Sequence, residues 1–135
     1  MWTKYIKSTV LTRIKTDGTA KLKSQFPNIY FTTSDKMATN PKFPTVYLKK
    51  LQSPEKGRTL DGTTVNATLA SFQIDVIDNK SDNNAENVAD VIADIMKSMG
   101  FEMLGDPFPD SQSTGEYRFT SRWQRLIGAG EYKKL

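Results

Sequence analysis

Cysteine and histidine are both missing from this 135-residue chain, and the two absences exclude more than any residue present suggests. Without cysteine there is no disulfide, no thiolate metal site and no thiol nucleophile. Without histidine the commonest general base and the commonest transition-metal ligand are gone as well. A Ser-His-Asp hydrolase or an ordinary zinc enzyme is therefore unavailable, and any catalysis would rest on carboxylates, Lys or Tyr. The expectation is a protein that is not an enzyme and takes no cofactor or metal. Long apolar runs are lacking too. Nothing approaches the roughly 20 residues of a membrane helix, and the opening MWTKYIKSTVLTRIK mixes Lys and Arg with its apolar residues, unlike a secretory signal.

What remains is the composition of one folded domain, 37% apolar and 25% charged. The net charge of +4 is unevenly spread. Residues 1–58 carry ten Lys and two Arg against three acids, a net of +9, residues 59–110 have a net of −8, and residues 111–135 have +3. A basic half raises the idea of nucleic acid. Equally, opposite-signed segments complement each other within a subunit or between neighbouring ones.

Ile6, Val10 and Ile14 fall at i, i+4 and i+8, one stripe of an N-terminal helix over 1–18 with Gly18 as its stop. The segment 28–34 is β-branched and aromatic enough for a strand, and 36–44 reads as a loop punctuated by Pro41 and Pro44. TVYLKKLQ (45–52) predicts a strand. Residues 53–65 have the composition of a hairpin or extended loop, with Asp61-Gly62 as the turn signal. In 66–78, Phe72, Ile74 and Val76 alternate with Ser71, Gln73, Asp75 and Ile77, the strongest strand pattern in the chain.

The main helix is expected over 83–99. Ala85, Val88, Ala89, Val91, Ile92, Ile95, Met96 and Met99 form its apolar face, with Gly100 as a left-handed cap and Phe101 folding back. A short strand over 101–108, a turn over 109–115 and a half-buried strand over 116–127 follow. The Gly-rich 128–135 reads as a flexible tail. The fold class is α+β: a single, mostly antiparallel sheet with the N-terminal helix and one long amphipathic helix on one face.

The densest chemistry is DVIDNKSDNNAENVAD (75–90), with four Asp and one Glu in sixteen residues. A calcium loop starting at Asp78 would place Lys80, Asn83 and Ala89 where it needs a ligand, a glycine and a bidentate glutamate. Asp75 and Asp78, three apart on a strand, point to opposite faces and make no acid–base pair. A turn ending in a helix cap from Asp82 or Asn83, with Glu86 completing a capping box, accounts for every residue.

The interleaved GEYRFTSRWQR resembles a single-strand nucleic-acid surface. Its alternation instead sends Tyr117, Phe119 and Trp123 to the core and Arg118 and Arg122 outward, where they can face Asp75. Asn66-Ala67-Thr68 is a glycosylation sequon without a secretory context. KGRTLDG (56–62) lacks phosphate-cradle spacing and reads as loop or contact surface.

The run from FQIDV through an Asn/Asp/Ser turn, an Ala/Val-rich helix ending in Gly100-Phe101, and a last strand with Tyr117, Arg118 and Arg122 resembles the tail terminator (tail completion) proteins of long-tailed phages and related neck and minor capsid proteins. PKFPTVYLKKL (41–51) is similar to that family's upstream strand, so the resemblance spans about 41–127, while the polar 19–44 has no counterpart. It implies a virion subunit, assembled in the host cytoplasm, that forms a ring, typically hexameric, on the head-proximal end of the tail tube. Its partners would be the tube protein and a head-side connector, and DNA would pass through the channel without sequence-specific recognition. Arg58, Asp61, Asp75, Arg118 and Arg122 are the candidate subunit or partner contacts. The alternatives are a head-side neck joining or minor capsid protein, and a small nucleic-acid-binding module.

Overall fold

A computed structural model of the chain describes residues 2–33, 42–51, 55–58, 65–105, 108–109 and 116–135, with the backbone alone for 55–58, 65–66 and 108–109. In chain order the elements are a 3-10 turn (Trp2–Tyr5), α1 (Ile6–Leu22), β1 (Tyr30–Thr32), β2 (Thr45–Lys50), β3 (Glu55–Arg58), β4 (Val65–Asp78), α2 (Asp82–Ser98), β5 (Glu102–Met103), β6 (Phe108–Pro109), β7 (Tyr117–Gly128) and a last 3-10 turn (Glu131–Lys134).

The two longest strands organise the sheet. β4 and β7 pair antiparallel from Ala67↔Gly128 to Asp78↔Tyr117. Each is flanked by two shorter strands laid end to end. β2 and β3 run antiparallel to β4, and β5 and β6 run antiparallel to β7. β1 adds to β2 in parallel, so the sheet is mixed, with order β1-β2-β4-β7-β5 along its main path. The antiparallel expectation holds for every pair but that one.

Strand alternation sorts the side chains. Phe72 lies beside Trp123, Ile74 beside Ser121 and Val76 beside Phe119, on the face both helices cover. Phe72 and Trp123 are fully buried, and the indole Nε1 donates to Ser121 Oγ at 2.9 Å, so burying the ring strands no donor. α2 lies over β4 and β7 and buries Val88, Ile92, Ile95 and Met96. α1 lies beside α2 and over β1, with Ile6, Val10 and Ile14 fully buried as the stripe predicts.

Gly18 does not stop α1, which continues to Leu22. A Cβ there would stand 2.8 Å from Phe31 Cζ and 3.0 Å from Cε1. The glycine is a packing residue that lets the β1 ring lie against the helix. At the other helix Gly100 does terminate, with φ +81°. Phe101 N donates to Met96 O at 3.1 Å and Gly100 N to Lys97 O at 2.9 Å, the paired bonds of a Schellman end. Phe101 is thereby folded into the core, edge-on to Phe72 with ring centroids 5.7 Å apart.

Of the hairpin and the extended loop expected over 53–65, the hairpin pairing is the one formed: 55–58 are β3, antiparallel to the start of β4, while Asp61-Gly62 lies outside the described residues. Two further boundaries differ from the sequence reading. Residues 101–108 hold two short strands rather than one. The segment read as a flexible tail closes β7 at Gly128 and then winds into a 3-10 turn. Tyr132 stacks there on Trp2 and on Tyr5 with centroids 5.9 and 6.0 Å away, both at 18°. Aromatic contact between the chain ends supplies the anchoring that the Gly-rich composition hides.

Candidate functional site

The acidic stretch resolves into backbone punctuation. Asp78 ends β4 nearly fully buried, and its Oδ2 accepts from the amides of Lys80 and Ser81, both at 3.1 Å. The chain turns there, and Ser81, in extended conformation (φ −159°, ψ 154°), accepts the Asn84 amide on Oγ at 3.1 Å. The helix cap is therefore Ser81. Asp82 and Asn83, the residues expected to cap, stand already inside the first turn, where Asp82 suits the helix dipole. Among the described residues no three of His, Cys, Asp and Glu converge to hold a metal ion.

The sheet face turned away from the helices carries a different constellation. Tyr47, Asp75 and Thr120 form one row across β2, β4 and β7, with Lys49, Gln73 and Arg122 in the next and Thr45, Ile77 and Arg118 in a third. Asp75 is only 7% exposed although no helix covers it. Its Oδ1 accepts from Thr120 Oγ1 at 2.8 Å and Gln73 Nε2 at 3.4 Å, and Arg118 Nη1 stands 3.8 Å from Oδ2. Arg122 Nε donates to Gln73 Oε1 at 3.3 Å. The network runs from Arg122 through Gln73 to Asp75, then to Thr120 and Arg118.

Chemically this is a carboxylate compensated by one guanidinium and hydrogen-bonded by neutral donors. It fixes side-chain positions on this face of the sheet. Around it Lys49, Arg122 and Leu126 are exposed, the last to 55%.

Of the five residues expected to make contacts, Asp75, Arg118 and Arg122 are brought together on this face. Arg118 reaches Asp75 as the alternation implies, whereas Arg122 meets Gln73 instead. Arg58 lies in β3 opposite Val65, away from this cluster along the sheet, and Asp61 is outside the described residues. Sequence reading missed Arg125, which points to the helical side. Its Nη1 donates to Met99 O at 2.6 Å and its Nη2 stands 3.4 Å from Glu131 Oε2, so it ties the end of α2 to β7 and to the C-terminal turn. The signal lay in the register: Arg125 falls on the same side as Trp123.

No family model and no curated protein matches the sequence. Solved structures do match, among them a chain of "Virion of native gene transfer agent (GTA) particle". It is 13% identical, with a TM-score of 0.58 over 91% of this chain and 94% of that one. The likeness is one of fold.

Proposed function

We propose that the protein is a structural subunit of a phage-type virion, and within it a tail terminator. Copies close into a ring, hexameric in the family it resembles, on the head-proximal end of the tail tube. The ring ends tube growth and offers the surface on which the filled head docks, with DNA passing through its channel. The observation that carries this reading is the fold likeness over nearly the whole of both chains to a component of a gene transfer agent virion. The ordered polar face around Asp75, read as a contact surface, supports it.

The test is assembly of tail tubes from the matching tube protein with and without this protein, followed by negative-stain electron microscopy. Terminator action predicts tubes that stop growing and carry a ring-shaped cap at one end. Tubes of unchanged length without caps would overturn it. Binding to a head-side connector in place of the tube would move the protein to the neck as a joining component.

A further inference from the structure

The two helices carry opposite charge on flanks that face away from each other. On α1, Lys15, Thr19 and Lys23 follow one another at four-residue spacing and line a cleft of about 340 Å³ with Asn28, Tyr30 and Lys42. Three lysines and no carboxylate line it among the described residues. On α2, Asp82, Glu86, Asp90 and Asp94 repeat at the same spacing, all exposed, with Lys97 the one cation at the end of the row. Carboxylates four apart on a helix repel each other. None of the four has an ion-pair or hydrogen-bond partner among the described residues.

These patches cannot meet within one subunit. α1 reaches α2 through Arg13, whose Nη2 donates to Ser98 Oγ at 3.4 Å, and through Gly18, packed near Ile92. Lys15 lies roughly 200° around α1 from Arg13, given 100° per residue. Asn84 of α2 shares a second cleft with Phe26, on the α1 side, and Glu86 and Asp90 lie roughly 160° and 120° around the helix from it. The lysine cleft thus sits at the β1 edge of the molecule, and Asp82, Glu86 and Asp90 on the flank of α2 turned away from α1, while Asp94, one turn before Ser98, lies toward the outer face.

We propose that the lysine-lined cleft receives the α2 carboxylate row of a second copy of this chain. Complementary patches on opposite flanks make a head-to-tail contact, which repeats from subunit to subunit and closes a ring when the rotation allows. The contact deepens the assembly reading above and rests on it only in taking a second copy as the occupant.

Two double variants test it by mass photometry across protein concentration, with circular dichroism to confirm folding: Lys15→Glu with Lys23→Glu, and Glu86→Lys with Asp90→Lys. The unmodified protein is expected to associate at low salt and to dissociate as salt screens the charges. Each variant alone should associate roughly a hundredfold more weakly, because both of its patches then carry one sign. Mixing the two variants should restore association, since every junction again joins opposite charges. Milder Lys15→Gln with Lys23→Gln should give an intermediate loss, should a reversed variant fail to fold.

A protein that stays monomeric at low salt overturns the proposal, as does a mixture that does not reassociate. So does association indifferent to both reversals, including the case where the lysine variant loses only affinity for a 30-base-pair duplex. In the indifferent case the tube-capping assay can still succeed, and the terminator reading stands. Copies that associate as proposed and never cap tubes leave this contact standing while the terminator reading falls.

Discussion

Asp75 and Arg122 share a face and a network, yet they do different work. Asp75 is nearly enclosed, and its oxygens serve Thr120, Gln73 and Arg118 together. Replacing it with Ala leaves the Thr120 hydroxyl, itself buried, without its acceptor. The expected cost in a denaturant melt is about 1–3 kcal/mol, the penalty for an orphaned buried donor. Arg122 is exposed and donates to Gln73 over 3.3 Å. Arg122→Ala should change stability by less than about 0.5 kcal/mol, as exposed polar substitutions do. If the face is a contact surface, Arg122→Ala should weaken partner binding while leaving the melt in place. A large loss of stability from Arg122→Ala would make the face structural only.

At the level of elements, two glycines show how one residue type answers different demands. Gly100 is required by its positive φ, and an added Cβ would also press within 3.3 Å of the Arg125 guanidinium. Gly100→Ala should cost about 1–2 kcal/mol, since an L-residue pays roughly that to sit in the left-handed region. Gly18→Ala would raise helix propensity by about 1 kcal/mol, but its Cβ would collide with the Phe31 ring held between α1 and β1. Overpacking of a filled core costs about 1–3 kcal/mol, so the net expectation is destabilisation, read as a lower midpoint in urea. A raised midpoint would mean that the ring yields freely.

The cap of α2 makes a third case. Ser81→Ala should cost about 1 kcal/mol, whereas Asp82→Ala should cost less. Neither calcium nor a chelator should move the melt, because Asp78 already serves the Lys80 and Ser81 amides and no three acids converge there among the described residues. These elements also show what was legible. Alternation placed Asp75, Arg118 and Arg122 on one face, because the side-chain period of a strand is a local property. The stripe of α1 and the end of α2 were readable for the same reason. The role of Gly18 was not, because it depends on a ring that arrives from a different element. The true cap was obscured because Ser81, Asp82 and Asn83 are all good caps and only the turn held by Asp78 selects among them.

In the whole molecule the chain ends meet. Trp2 and Tyr5 come from the first turn and Tyr132 from the last, and the ring of Tyr132 stacks on both. Leu135 packs against the core beside them, and Glu131 faces Arg125, which caps α2. The C-terminal turn therefore couples three parts that are distant in sequence: the start of α1, the end of β7 and the end of α2. Stacked rings contribute about 0.5–1.5 kcal/mol beyond the area they bury. Tyr132→Ala removes the ring from both stacks and should lower the thermal midpoint by about 3–6 °C, the shift that roughly 1 kcal/mol produces in a domain of this size. Amide exchange in residues 2–10 should quicken in the same variant, since the first turn loses the ring that holds it, while the centres of β4 and β7 keep their protection. An unchanged midpoint with unchanged exchange in the first turn would mean that the ends merely lie together, and that α1 is held by Ile6, Val10 and Ile14 alone.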